Sequence, residues 1–174
     1  MIRYSLTLAE LEAKITGHDK NWIDQARART KIFEDQGYYD EKSSIWSGIK
    51  PVYMNLQGES KCAYCEQKLE SVTYGKGVQD VEHFRPKKKV SPWKPAKSAK
   101  LDDVPFTEPK AADGGYHLLA YHIFNYCASC KPCNSALKRD YFPIAGTYQT
   151  MGGNPPRGTV EKPYLIYPIG NIDT

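Results

Sequence analysis

The feature that most constrains this chain is a set of five cysteines arranged in C-x-x-C pairs. Cys62 and Cys65 form one pair, and Cys127, Cys130 and Cys133 form two overlapping pairs. Two such pairs whose sulfurs meet make a closed tetrahedral zinc site, which stabilises a fold rather than performing catalysis. Because Cys65 and Cys130 are 65 residues apart, the site would clamp a large intervening unit.

The downstream pair is either Cys127 with Cys130 or Cys130 with Cys133. The run NSALKRD after Cys133 can begin a helix, and cysteine knuckles commonly precede a helix, which favours Cys130 and Cys133. Cys127 is then expected to be a small buried hydrophobic residue. The competing interpretation is a set of reduced core cysteines without a metal.

The chain has 174 residues, which predicts one compact domain with appendages. No run approaches the roughly 18 apolar residues of a membrane span, and the first residues lack a signal-peptide pattern. We therefore expect a cytoplasmic protein with no membrane association. In that compartment thiols stay reduced, so clustered cysteines indicate metal ligands rather than disulfides.

Positive charge is concentrated in one stretch. The chain has a net charge of +4, and residues 84–100 carry seven basic residues and no acidic one. The other parts carry 17 basic and 20 acidic residues. Such a patch suits a phosphate backbone; the alternative is a solvated loop rich in lysine and proline.

Three segments are predicted: an N-terminal helical extension over residues 1–57, a core over 58–145 with a basic loop insertion at about 87–114, and a C-terminal arm over 146–174. In the first, Thr7 and Glu10 have the spacing of a capping box. A second helix is expected over residues 22–36, and a third is indicated by apolar residues from Ile45 to Leu56.

The core is expected to contain a strand over residues 78–84, a short buried helix over 116–124 and a helix over 134–140. The arm ends in the sequence EKPYLIYP, which is predicted to be extended.

The motifs CAYC, VEHFRPK and N-x4-C-x2-C-N-x3-K, followed by FP, lie between Lys61 and Pro143, about half of the chain. In combination they resemble the HNH nuclease family. The resemblance implies an α+β fold: a ββα-metal (HNH) core with a structural zinc knuckle, an N-terminal helical extension and long loops. It also implies that the zinc ligands are Cys62, Cys65, Cys130 and Cys133.

The resemblance assigns roles to four further residues. His83 is the expected general base, and Asn125 orients the loop and imidazole of His83. Glu82 and Asn134 are the expected ligands of a catalytic Mg²⁺ or Mn²⁺ ion. Most relatives carry aspartate where Glu82 stands, so the longer side chain is a departure from the family pattern. Taken without the resemblance, Asn134 could be a helix N-cap and Asn125 a turn residue.

The expected substrate is nucleic acid, with DNA favoured by the family and RNA as the alternative. Arg85, Lys87, Lys88 and Lys138 are the predicted phosphate contacts. The segment EKPYLIYP also resembles an HNH branch that includes nuclease subunits of Septu-type and retron-linked anti-phage systems, which act beside an ATPase. An ATPase partner is therefore expected. The competing hypothesis is a non-catalytic zinc-knuckle module that binds nucleic acid or serves as a scaffold.

Overall fold

The computed structural model describes residues 1, 3–58, 60–75, 77–95, 99, 101, 103–110, 114–156 and 158–170. Its helices and strands are α1 (Leu8–His18), α2 (Trp22–Gln36), α3 (Lys50–Leu56), β1 (Gln79–His83), β2 (Tyr126–Cys130), a π-helix (Pro132–Lys138) and α4 (Gly158–Glu161). Short 3-10 turns occur at Trp46–Ile49, His117–Leu119 and Ile123–Asn125. The fold is thus α+β, with a small antiparallel sheet.

The first two helices agree with the sequence signals. Thr7 Oγ1 accepts a hydrogen bond from the Glu10 amide at 3.2 Å, and the Thr7 amide donates to Glu10 Oε2 at 2.7 Å, so the predicted capping box is confirmed. Helix α2 ends at Gly37, whose φ of 79° is left-handed. Glycine adopts that conformation without the steric cost of a Cβ atom.

The predicted third helix is divided in two. A 3-10 turn over Trp46–Ile49 leads directly into α3, which has Pro51 in its first turn. Proline is accommodated there because the amides of a first helical turn have no partner within the helix.

The sheet consists of β1 and β2 paired antiparallel, with Gln79 opposite Cys130 and His83 opposite Tyr126. A two-stranded sheet is marginal by itself, and α3 supports it from one side. At the end of α3, the fully buried Gln57 accepts from the Ala128 amide at 2.6 Å and donates to the Ala128 carbonyl at 2.9 Å. This side chain therefore fixes α3 to the middle of β2.

The buried helix predicted over residues 116–124 is wrong: the structure has two separate 3-10 turns there. The Leu119 carbonyl accepts from the Asn125 side chain at 3.0 Å, and the Ala120 carbonyl accepts from His83 and Tyr126. These carbonyls accept hydrogen bonds from side chains, and they do not form the regular backbone hydrogen bonds of a continuous helix.

The helix predicted over residues 134–140 begins two residues earlier and is a π-helix over Pro132–Lys138. Its terminal bond runs from the Arg139 amide to the Asn134 carbonyl at 2.8 Å, a spacing of five residues. π-Helices are rare and frequently occur at functional sites. Along the chain, this helix directly follows β2.

The N-terminal helices share one hydrophobic core with the sheet. Trp22 is almost fully buried, and its indole donates to the Ile45 carbonyl at 3.0 Å. Tyr53 of α3 donates to the Ile123 carbonyl at 2.6 Å. The N-terminal helices are therefore packed as part of the domain. None of the helices that the structure describes is long and apolar enough to cross a membrane.

The C-terminal arm also packs on the core. Isolated bridges join Ile144 to Pro163 and Tyr4 to Ile169. In the loop insertion, Phe106 packs between Trp93 and Tyr164. Lys97 and Lys100 of the basic stretch, and residues 171–174 of the predicted arm, lie outside the described residues.

Arg85, predicted as a phosphate contact, is instead fully buried. Its guanidinium Nε donates to Glu161 Oε2 at 2.8 Å, and the rings of Phe84, Tyr116, Phe142 and Tyr167 surround it at 5.0 to 5.8 Å. Glu161 lies in α4, so the expectation of an extended EKPYLIYP is wrong at its first residue. The sequence around Arg85 gave no sign of its ion pair with Glu161, which fixes the C-terminal arm to the core.

We expect Glu161→Gln to lower the free energy of unfolding by about 3–5 kcal/mol, because it leaves the buried Arg85 cation without its counter-charge. Urea unfolding in zinc-containing buffer measures this. Glu34→Gln is the matched control, since it removes an exposed carboxylate beside Lys31 and should cost about 1 kcal/mol or less. Equal effects of the two substitutions would contradict the assignment.

Candidate metal centre and catalytic cleft

The four predicted zinc ligands come together. Cys62 and Cys65 lie in a turn that is closed by a bridge between Lys61 and Lys68 and by a 2.9 Å bond from the Cys62 amide to the Gln67 carbonyl. Cys130 ends β2, and Cys133 lies in the first turn of the π-helix. The four sulfurs lie within 4.8 Å of one another.

This geometry fits a zinc ion. Tetrahedral Zn–S bonds of about 2.3 Å place sulfurs about 3.8 Å apart, and the Cys65 and Cys130 sulfurs are separated by 3.9 Å. The four cysteines can therefore hold a zinc ion, with Cys130 and Cys133 as the downstream pair. Cys127 is fully buried outside the cluster, and burial raises the pKa of its thiol. It is the small buried residue that the sequence predicted.

Cys133→Ser should reduce the zinc content from one ion per chain and cause misfolding, because a closed zinc site contributes folding free energy. Cys127→Ala should keep one zinc per chain and lose only about 1 kcal/mol of stability. Metal analysis of purified protein together with urea unfolding checks both. A stable, zinc-replete Cys133→Ser protein would refute the four-ligand site.

Beside the four-cysteine cluster lies a cleft of about 430 Å³. Its walls come from the 3-10 turn at Trp46–Ile49, from β1 and the residues after it, and from the π-helix. The cleft brings together five of the predicted site residues, namely Glu82, His83, Lys87, Lys88 and Asn134. Three of the chain's segments therefore meet at one concave surface.

His83 is almost fully buried at the end of β1. Its Nε2 lies 3.1 Å from the Ala120 carbonyl oxygen, and its ring packs edge-on against Trp46 at 4.7 Å and Tyr126 at 5.0 Å. A carbonyl only accepts, so Nε2 carries the proton and Nδ1 keeps a lone pair in the neutral ring. Burial, with the nearby Lys87 ammonium, lowers the pKa of His83 well below its ordinary value. The imidazole is therefore neutral at neutral pH.

The Asn125 side chain is fully buried and bonded to the backbone that follows His83. Its Oδ1 accepts from the Arg85 amide at 2.8 Å, and its Nδ2 donates to the carbonyls of Arg85 and Leu119 at 3.0 Å each. Leu119 precedes Ala120, whose carbonyl contacts His83. Asn125 thus joins the two backbone segments around the imidazole.

Glu82 lies on the opposite face of β1 from His83, because side chains alternate along a strand. It forms a buried ion pair with Lys138, with Lys138 Nζ 3.1 Å from Glu82 Oε1. Burial raises the pKa of Glu82, and the Lys138 ammonium opposes that shift. Lys138, predicted as a phosphate contact, is instead engaged inside the protein with Glu82 and with the His83 carbonyl.

Asn134 is not a helix N-cap. The N-cap position of the π-helix is Lys131, three residues before Asn134, and no side chain caps that end of the helix. Instead Asn134 Nδ2 donates to Asp80 Oδ2 at 2.9 Å, and Lys131 Nζ lies 3.4 Å from the same oxygen. Asp80 and Glu82 share one face of β1, the face toward the π-helix.

Basic side chains line the cleft. The Lys87 ammonium lies over the rings of Trp46 at 4.6 Å and Tyr39 at 5.4 Å, and burial lowers its pKa. Lys88 is exposed. Lys50, whose Nζ donates to the Gln79 carbonyl at 2.8 Å, lines the same cleft.

Sequence reasoning missed several residues of the cleft: Trp46, Lys50, Asp80, Arg139 and Asp140. Asp80 could have been found, because it lies two residues before Glu82 and a strand places such residues on one face. Trp46 and Lys50 come from the helical extension, where no local pattern indicates a site.

No protein-family model matches the chain, and no solved structure gives a significant match. The chain is similar to the Septu protein PtuB of Bacillus mycoides (strain KBAB4), with 31% identity over 113 residues. The similarity covers 64% of this chain and 30% of that protein. The chain therefore spans less than a third of the length of the curated relative it matches.

Proposed function

We propose that this protein is a metal-dependent endonuclease of the HNH type that hydrolyses phosphodiester bonds of nucleic acid, with DNA as the favoured substrate. The observation that carries the proposal is the cleft itself. A neutral imidazole, a buried carboxylate and a side-chain amide line one concave surface of about 430 Å³, and lysines lie at its edge. A binding module has no need of that combination.

His83 is the general base. Its Nε2 proton is held by the Ala120 carbonyl, so Nδ1 is the nitrogen that accepts a proton from the attacking water. Asn125 fixes the two backbone segments that position the ring. A neutral histidine at the operating pH is the protonation state that a general base requires.

Glu82 and Asn134 would hold a Mg²⁺ or Mn²⁺ ion, since both offer the hard oxygen atoms that these cations prefer. The Lys138 ammonium is bonded to Oε1 of Glu82, and a carboxylate has two oxygens and about four acceptor positions. The bound ion supplies charge stabilisation for the phosphate and its leaving oxygen. The donor set and the open cleft support this assignment.

The basic residues position the substrate. Lys87 and Lys88 lie at the cleft, and Lys50 and Arg139 add charge from the two other walls. Ammonium and guanidinium groups neutralise phosphates and make binding salt-dependent. Arg85 and Lys138 are not proposed as phosphate contacts, because both are buried in ion pairs.

The similarity to a Septu protein supports a role in anti-phage defence. The resemblance of the motifs to nuclease subunits that act beside an ATPase adds such a partner to the proposal. Residues from the helical extension line the cleft. A partner protein that binds this extension could therefore shift the side chains that form one wall of the site.

The test incubates zinc-replete protein with plasmid DNA and with total RNA, in Mg²⁺, in Mn²⁺ and in EDTA. We expect metal-dependent cutting of DNA, and a loss of about 10²- to 10⁴-fold in rate for His83→Ala. His83→Gln is a second variant, because its amide can still donate to Ala120 but has no basic nitrogen.

His18→Ala is the matched control. His18 is an exposed histidine on α1 that contacts the Gly48 carbonyl at 3.0 Å, and its removal should leave the rate unchanged. Zinc content and circular dichroism establish that each variant is folded. A His83→Ala protein that cuts at the wild-type rate would remove the mechanism. Binding of nucleic acid without cutting, also in the presence of the ATPase partner, would favour the zinc-knuckle binding module.

A further inference from the structure

Asn134 presents an orientation problem that the proposed metal site must solve. The two ends of a carboxamide have nearly the same shape, but only the oxygen has lone pairs for a metal ion. An amide that rotates by half a turn about its last bond presents its NH₂ group instead and repels a cation. A side chain that selects one orientation therefore determines whether Asn134 can act as a ligand.

Asp80 is placed to make that selection. It lies two residues before Glu82 on β1, and its side chain is 26% exposed at the wall of the cleft. Its Oδ2 accepts from Asn134 Nδ2 at 2.9 Å. A carboxylate only accepts hydrogen bonds, so it binds the nitrogen end of the amide and directs the oxygen end away from itself.

The remaining contacts agree with this arrangement. Lys131 Nζ lies 3.4 Å from Asp80 Oδ2, at the helix side of the carboxylate. Within the described part of the chain, no donor is bonded to Asn134 Oδ1. The amide therefore keeps a free acceptor while its nitrogen is held.

Direct ligation by Asp80 is less well supported. In the part of the chain that the structure describes, the four cysteines are the one group of three or more His, Cys, Asp or Glu ligand atoms that converge within 4.8 Å. Asp80, Glu82 and His83 therefore do not converge as a set, and Asp80 is already bonded to Asn134 and Lys131.

We propose that Asp80 is a positioning residue that fixes the carboxamide of Asn134 with its oxygen available to the divalent ion. This inference rests on the proposed function and assigns a role to a residue that the HNH motifs do not include. Partners that orient metal ligands typically change metal affinity by about 10- to 100-fold when they are removed.

The experiment measures Mn²⁺ binding to zinc-replete protein by electron paramagnetic resonance, without substrate. Manganese is the probe because it prefers oxygen ligands over the cysteine site. Asp80→Ala should weaken Mn²⁺ binding by about tenfold or more. Asp80→Asn should retain most of the affinity, since its carbonyl oxygen can still accept from Asn134 Nδ2.

A double substitution tests the orientation directly. Both oxygens of a carboxylate have lone pairs. The Asn134→Asp substitution therefore gives a side chain that presents an oxygen to the ion in either orientation. Asp80→Ala should therefore weaken Mn²⁺ binding much less in the Asn134→Asp protein than in the wild-type protein, a comparison in which the added charge of the aspartate cancels. Lys131→Ala, which removes the other partner of Asp80, is the matched control and should change the affinity by less than about fivefold.

Four outcomes would overturn the inference. Wild-type affinity in Asp80→Ala would show that Asp80 is not needed. Equal weakening by Asp80→Asn and Asp80→Ala would assign the effect to charge rather than orientation. Equal weakening by Asp80→Ala in the wild-type and Asn134→Asp proteins would do the same. If the wild-type protein itself binds no Mn²⁺, the proposed metal site fails and the inference fails with it, which is a distinguishable result.

Discussion

The convergence of four cysteine sulfurs is the constraint on which the rest of the structure depends. It joins the turn after α3 to the junction between β2 and the π-helix, across 65 residues of chain. A metal site of this kind rarely exists in the unfolded chain, so the free energy of zinc binding would add to the free energy of folding. The two short strands could not fix the π-helix by themselves. The cluster therefore sets the distance between the strand that carries Glu82 and His83 and the helix that carries Asn134.

Local signals in the sequence predicted much of the fold. The capping box of Thr7 and Glu10, the left-handed Gly37 and the cysteine pairs each act over a few residues, so their effects are readable without tertiary contacts. The alternation of side chains between the two faces of β1 also follows from the sequence, once the strand is identified. It sends Glu82 to the face toward the π-helix and His83 to the other, and the cleft at the end of the strand reaches both.

Long-range contacts explain what the sequence did not predict. Arg85 and Lys138 looked like surface cations, yet each is buried because a carboxylate reaches it from 76 and 56 residues away. The helix expected over residues 116–124 is interrupted because Asn125 and His83 bond its carbonyls. No pattern inside those segments indicates these partners. They become visible only when the chain is folded.

Trp46 gives this arrangement a further consequence. Its indole packs edge-on against His83 and carries the Lys87 ammonium on its face, whereas Trp22 lies in the core and Trp93 packs against Phe106. Indole emission responds to nearby charge and to water. One of the chain's three tryptophans is therefore an intrinsic optical probe of the cleft, and a chain with phenylalanine at the other two positions would report events at the site without any added label.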